Sequence, residues 1–352
     1  MIIEDVSQKP GFWSLAGPKS DIVLSCRIRL ARNMHSVPFP HILEDKESYI
    51  IRHSLERFAA ESCFADRSLI IDLTDLDAHE KRFLRERNII THEMETSSKS
   101  MVLLDGSDDF SILLNEEDHY RIQVIKPGLQ LHEAFRLADT VDDELNRYVF
   151  YAFSETLGHL TACPSNLGTG LRCSVMLHLP ALTFRNRIGE MIPFLKERGV
   201  ELKGTVGENR KSIGSIFQVS NRASLGLSEV DIIEIMDSAV NSLISREDSE
   251  RDEAVLTGRN RLEDRVFRSL GIVRSARTMT YGEAMEHLSN VRFGIILAFI
   301  KNLDMSAIND MMVNIQWSHL QNYFRDAIIS NSQCDRLRAD YLRSMFRTVG
   351  DL

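Results

Sequence analysis

A change of hydrophobic period near Ser228 constrains the fold of this 352-residue chain more than any other feature. After it, apolar residues recur at three- and four-residue spacing over Glu229–Ile244, Arg259–Leu270, Tyr281–Ser289, Arg292–Leu303, Ser306–Phe324 and Gln333–Phe346. That spacing lines one face of a helix. Before Ser228, short apolar runs and period-2 alternation mix with helical stretches. The pattern predicts an α/β (α+β) domain over residues 1–245 and an all-helical domain over residues 254–352, with the polar run SREDSERDE (Ser245–Glu253) as the linker. No repeat of 20–50 residues is present.

Within the first part, Ile22–Ala31 reads as a strand that places Arg27 and Arg29 on one face. Glu44–Glu61, Leu76–Asn88, Leu131–Phe153 and Leu182–Arg198 read as helices. Leu69–Leu73, Leu171–Leu179 and Ser212–Ser220 read as strands. Ser100–Leu104, Ser111–Leu114 and Tyr120–Ile125 form an antiparallel meander, with Asp105-Gly106-Ser107-Asp108 as its first turn. Nine of the 18 glycines lie between Gly158 and Gly226, where tight turns are therefore concentrated.

Charge and cysteine usage narrow the class. Forty-two Lys+Arg against 51 Asp+Glu make the chain acidic, unlike a general nucleic-acid binder. The excess is local: residues 1–249 hold 28 basic against 38 acidic residues. The first residues show no secretory signal, and the apolar run Phe293–Ile300 is too short to span a bilayer. Cys26, Cys63, Cys163, Cys173 and Cys334 are scattered without a CxxC pair, which suits a reducing cytoplasm and offers no zinc spacing.

Four segments carry chemistry. In Ser25–Asn33, Arg27 and Arg29 offer two guanidinium forks to one side, an arrangement suited to a polyphosphate; a solvated charged face is the plain alternative. In Asn115–Arg121 (NEEDHYR), extended backbone would turn only one of Glu116 and Glu117 toward a site, and Arg121 re-enters the strand as a further phosphate contact. Cys163–Arg172 (CPSNLGTGLR) places two glycines where a backbone can approach a ligand, beside a thiol in a turn; it is not a Walker A loop. Lys203–Glu208 (KGTVGE) is a glycine loop ending in a carboxylate.

Together, IRLARN, NEEDHYR, CPSNLGTGLR and KGTVGE with the following FQVSN resemble the ATP:guanido phosphotransferase family, in family order from about residue 22 to 226. That family includes creatine and arginine kinases and the bacterial protein-arginine kinases. The resemblance implies a guanido-kinase catalytic domain, an antiparallel sheet flanked by helices. It assigns Arg27, Arg29, Arg121 and Arg172 to the ATP phosphates, with Lys203 where the family has a fifth arginine. It makes Glu117 and Glu208 the catalytic carboxylates and Cys163 the thiol beside the guanidinium, with ATP and Mg²⁺ as cofactors and the metal held mainly by phosphate oxygens. Cys173 is expected in the core and His119 as a structural turn residue.

Phosphagen kinases carry a helical domain of about 100 residues before the first arginine motif. Here that motif starts at Ser25 and a helical domain follows instead, as in the protein-arginine kinases. The expected activity is therefore phosphorylation of exposed arginine on proteins, with an McsA-type activator, a Clp ATPase–protease system and a homodimer as partners. The alternatives are a small-guanidine kinase and a low-activity phosphoarginine-binding adaptor. Protein-arginine kinases also carry an RDxxRA motif that binds phosphoarginine. Its counterpart is Cys334–Ala339, in which Asp335, Arg338 and Ala339 match and Cys334 replaces the first arginine. The Met-rich segment Met305–Phe324 is expected as core or dimer face.

Overall fold

The computed structural model describes residues 15–107, 109–204, 212–325 and 330–348. Its frame is an eight-stranded sheet in the order β2-β3-β4-β5-β1-β8-β10-β9, with every neighbouring pair antiparallel. The strands are β1 (Val23–Arg32), β2 (Ser68–Asp72), β3 (Met101–Asp105), β4 (Phe110–Leu114), β5 (Tyr120–Pro127), β8 (Leu171–His178), β9 (Val200–Gly204) and β10 (Ile216–Asn221). A two-stranded hairpin, β6 (Phe153–Ser154) and β7 (Gly158–His159), stands apart. The helices are α1 (Asp45–Glu61), α2 (Ala78–Glu86), α3 (His92–Thr96), α4 (Leu131–Leu145), α5 (Pro180–Phe184), α6 (Ile188–Glu197), α7 (Glu229–Ser275), α8 (Tyr281–Ile296), α9 (Met305–Asn314), α10 (Trp317–Phe324) and α11 (Asn331–Thr348).

Alternation along β1 separates the two faces of the sheet. Cys26, Ile28 and Leu30 are fully buried and join Ile122, Val124, Cys173 and Val175 in the main core. That core is closed by Ile51, Leu55 and Phe58 of α1, by Ala134, Ala138 and Val141 of α4, and by Ile233, Met236 and Val240 of α7. A second core lies among α7 to α11, and includes Val266, Leu288, Met311, Met312 and Leu342 with Leu24 and Ile216 from the sheet. Met311 and Met312 thus settle into the interior.

The structure departs from the periodicity at several places. The run Ser245–Glu253 is not a linker; it lies inside α7, which spans 47 residues. Its charges pair along the helix, Arg246 with Glu250 at 2.8 Å and Arg251 with Asp248 at 3.3 Å. Glu247 is buried there and accepts the backbone N–H groups of Ala181 and Leu182 at 2.7 and 2.9 Å, capping α5. The helix breaks instead at Gly258, whose φ of −147° and ψ of 26° are non-helical. Leu131–Phe153 stops at Leu145, and Leu182–Arg198 splits at Asn186, which has a φ of 58°. Arg292–Leu303 stops at Ile296, just before Ala298 with a φ of 56°, and Ser306–Phe324 divides into α9 and α10. The edge strand β9 has too little alternation to announce itself.

One buried cation joins the sheet to the helices. Arg292 of α8 donates to Asn309 Oδ1 at 2.9 Å, to the carbonyls of Asp21 and Ser20 at 2.8 and 2.6 Å, and to His178 Nδ1 at 2.7 Å. Because a guanidinium only donates, His178 is held neutral with its proton on Nε2, which donates to Ser289 at 2.8 Å. A second joint is α10 on α2. Ser318 N–H donates to Glu86 at 2.9 Å, Arg82 lies 4.7 Å over the Trp317 ring, and His319 packs 4.7 Å from Phe83. Among the described residues no helix is long and apolar enough to cross a membrane.

Arg292→Met should lower unfolding stability by about 3 kcal/mol, since it strands several buried acceptors; urea denaturation would measure this. Burial, reinforced by Arg87, pushes His319 down to about 3, and burial beside Arg292 holds His178 well below its ordinary value. Both sites bind protons more readily when unfolded, so each weakens the fold as pH falls through about 6.5. Glu247, pushed up to about 7 by burial, acts in the opposite direction. His319→Phe should remove up to about 2 kcal/mol of the stability loss between about pH 7 and pH 5, read from melts at the two values.

Candidate active site

Directly opposed residues of antiparallel strands share a face. Arg29 stands opposite Gln123 of β5 and Arg172 of β8, Arg27 opposite Ile125 and Ser174, and Ala31 opposite Arg121. Ser174 continues to Ser220 and Glu201, and Met176 to Gln218 and Lys203. The register therefore puts Arg27, Arg29, Arg121, Arg172 and Lys203 on one face, opposite the main core. Arg27, Arg29 and Arg172 are half-buried and Arg121 is buried.

These guanidinium groups crowd one another. Burial, then Arg121 and Arg172, brings Arg27 down to about 10, which leaves it charged at neutral pH. Arg29 is held well below its ordinary value by burial and by Arg27, Arg121 and Arg172, and its Nε is buried without a hydrogen-bond partner. Arg32, on the same strand, shows the contrast. It is fully buried, but it grips Asp142 through Nε and Nη2 at 2.6–3.1 Å and donates to the Ala31 and Thr169 carbonyls. Arg32 holds the fold, whereas Arg29 leaves its buried Nε without a hydrogen-bond partner.

The NEEDHYR turn is locked against two other segments. Asp118 is buried and accepts Asn33 Nδ2 at 2.7 Å and the Ala162 N–H at 2.8 Å. The His119 N–H returns to Asn33 Oδ1 at 2.9 Å. His119 accepts the Met34 N–H at Nδ1 and donates from Nε2 to the Pro38 carbonyl. It is a structural turn residue, lowered in pKa by burial. The expectation that only one of Glu116 and Glu117 faces the site does not hold. The turn is not extended, and both reach Arg121, at 2.6 and 3.0 Å. Asn166 of the CPSNLGTGLR loop lies 3.4 Å from Glu117, and Cys163 Sγ lies 3.0 Å from Ser165 Oγ. Cys173 is in the core.

A cavity of about 540 Å³ is lined by the cationic Arg29, Arg121 and Arg172 and by the acidic Glu93, Glu116 and Glu117. Thr91, Ser165 and Asn166 complete much of its wall. A smaller cavity of about 30 Å³ continues the same face past Arg27 between Ile125, Met176 and Gln218. Lys203 is exposed and pairs with Glu201 at 2.9 Å, and Glu201 also stands 4.0 Å from Arg172. Glu208 lies outside the described residues. Among the described residues no three His, Cys, Asp or Glu side chains cluster as metal ligands.

The Cys334–Ala339 segment lies on α11, within the helical core. Arg338 is buried and donates to the carbonyls of Ile315 and Met279, both at 2.9 Å, to Asp335 at 2.6 Å and to Cys334 Sγ at 3.2 Å. Ala339 is buried and Asp335 half-buried. The sequence reading missed Thr91, Glu93 and the second carboxylate on Arg121. Only the pairing of NEEDH with a returning arginine at i+4 and i+5 hinted at the last.

Arginines clustered on one face of an antiparallel sheet, lining one cavity together with carboxylates, have the arrangement of a phosphotransferase site. The family model "ATP:guanido phosphotransferase, C-terminal catalytic domain" matches residues 50–250, and the chain belongs to that family. Residues 259–351 match the model "Protein-arginine kinase McsB C-terminal domain". The protein-arginine kinase of Geobacillus sp. (strain WCH70) is 42% identical over 339 residues, covering 96% of this chain and 93% of that protein. That of Bacillus subtilis (strain 168) is 41% identical over 329 residues, covering 93% and 90%. Among solved structures, the duplicated taurocyamine kinase from Schistosoma mansoni with bound transition-state-analog components superposes with a TM-score of 0.59 at 25% identity, over 68% of this chain and 36% of that one. Lombricine kinase shares the fold, with a TM-score of 0.59 at 22% identity over 71% of this chain and 72% of that one.

Gly170 joins the catalytic loop to β8 with a φ of +68°, and a Cβ there would meet the Ala31 carbonyl oxygen at 2.6 Å and Arg32 Nη1 at 2.7 Å. Gly170→Ala should cost about 1–3 kcal/mol and displace Arg172, two residues on, weakening ATP binding in a calorimetric titration.

Proposed function

We propose that this chain transfers the γ-phosphoryl group of ATP to arginine side chains of proteins. The observation that carries the reading is the register that sets Arg27, Arg29, Arg121 and Arg172 on one sheet face beside a cavity holding Glu117. The relatives from Geobacillus sp. and Bacillus subtilis, each matched over at least 90% of its length and named protein-arginine kinase, support a protein acceptor.

In this reading the four arginines grip triphosphate oxygens and draw charge off the γ-phosphoryl group as its bond to ADP loosens. Arg121 exchanges contact with Glu116 and Glu117 for contact with phosphate, which frees Glu117 toward the acceptor. A guanidinium is a poor nucleophile while protonated. Glu117 therefore orients the acceptor N–H and takes its proton as the nitrogen bonds to phosphorus and the phosphorus–oxygen bond to ADP breaks. Glu208 is proposed as the second carboxylate and Cys163 as a thiol that tunes the charge around the acceptor. Lys203 is proposed as an outer phosphate contact, weaker than an arginine fork. Mg²⁺, when bound, neutralises phosphate charge. It would be held mainly by phosphate oxygens, as in other phosphoryl-transfer sites.

The match to the McsB C-terminal domain supports the wider assignment: a cytoplasmic enzyme, a homodimer, an McsA-type activator and delivery of marked proteins to a Clp ATPase–protease. In the same reading the division into residues 1–245 and 254–352 separates catalysis from a helical module, whose Asp335, Arg338 and Ala339 are the candidate phosphoarginine contacts.

Incubation of a casein-type substrate with ATP and Mg²⁺, followed by mass spectrometry under neutral handling, should locate phosphate on arginine, in an acid-labile linkage. Equal rates on free arginine would instead indicate a small-guanidine kinase. Glu117→Gln should reduce kcat by about 10²-fold or more, and Arg29→Ala by about 10²- to 10³-fold, both with the fold intact by circular dichroism.

A further inference from the structure

The cavity has an acidic wall that the mechanism above does not use. Glu93 and Thr91 line it from the segment joining α2 to α3. This segment is held in place from three directions. Gln123 Nε2, on the arginine face of β5, donates to the Asn88 carbonyl at 2.9 Å. Met94, next to Glu93, is fully buried in the core under α2. Glu95, on the other side of Met94, is bound by Arg85 at 2.6 Å and by His92 at 2.7 Å. Glu93 is exposed to the cavity, and among the described residues no cation pairs with it. Thr91 occupies the N-cap of α3, where its hydroxyl would ordinarily accept a backbone N–H, yet it makes no cap bond. Its Oγ1 is buried and without a partner.

This anchored segment thus presents a free carboxylate to a cavity whose other carboxylates, Glu116 and Glu117, are already engaged, and keeps a buried, unpartnered hydroxyl two residues away. Phosphate has no use for this wall, because Glu93 would repel it. A guanidinium does, because it offers five N–H donors and a positive charge.

Building on the proposed activity, we infer that Glu93, assisted by the Thr91 hydroxyl, is a recognition residue for the guanidinium of the acceptor arginine. Glu93 supplies ground-state affinity and steers the cation toward Glu117. It takes no proton and contacts neither ATP nor the transferred phosphoryl group. Being exposed, it can be replaced without disturbing the core.

The test is steady-state kinetics of the full chain on a peptide with one arginine, varying peptide and ATP separately. Glu93→Gln should raise the KM for peptide roughly tenfold, with kcat within about twofold of the parent and the KM for ATP unchanged. Glu93→Asp should recover part of the loss, and Thr91→Val should raise the same KM by a smaller factor. An unchanged peptide KM in Glu93→Gln overturns the assignment, and so does a rise in the KM for ATP instead. If the parent enzyme forms no phosphoarginine at all, the proposed activity fails, an outcome separate from failure of the Glu93 role.

Discussion

Mutual repulsion among guanidinium groups on one sheet face is the constraint around which this molecule is arranged. Four half-buried or buried arginines stand on three adjacent strands, and Arg29 has a buried Nε with no acceptor. Their assembly costs stability in the free protein, and the opposite face supplies it. There Cys26, Ile28 and Leu30 of β1 close against α1, α4 and α7 in the largest apolar cluster. The same strand carries Arg32, which is paired with Asp142, whereas the Arg29 Nε has no partner. An anion with several oxygens would relieve the repulsion at once, so binding and stability are linked at this site.

The parts most legible in sequence were those whose chemistry is local. Arg27 and Arg29 follow from period-2 alternation in a single strand, and NEEDHYR and CPSNLGTGLR are contiguous strings that fold into contiguous loops. The antiparallel meander from Met101 to Pro127 was equally readable, because its strands neighbour one another in both sequence and space. What escaped depends on tertiary placement. Glu93 sits in a five-residue helix with no motif of its own, and tertiary contacts such as the one from Gln123 and the anchoring of Met94 bring it to the cavity. Ser245–Glu253 was misread because its charge density resembles that of a linker. The buried acceptor bonds of Glu247 and the ion pairs around it make the segment a helix instead.

The helical module is in contact with the catalytic cavity's surroundings at two joints. Arg292 binds the end of β8, six residues beyond Arg172, through His178. The Glu86 carboxylate of α2, the helix that leads into Thr91 and Glu93, accepts the Ser318 N–H at the start of α10. Arg338 of α11 donates to the Ile315 carbonyl just before α10 begins. Both walls of the cavity are thus braced by side chains from the last third of the chain.

The arginine face also bears on how the sheet selects its own pairing. A one-residue slip of β1 against β5 or β8 would turn Arg27 and Arg29 toward Ala134, Ala138 and Val141 of α4, and expose Ile28 and Leu30 in their place. Placing two guanidinium groups in that apolar layer without counter-charge is prohibitively unfavourable. The residues proposed to hold phosphate therefore also penalise the misregistered sheets that a chain of purely apolar strands would tolerate.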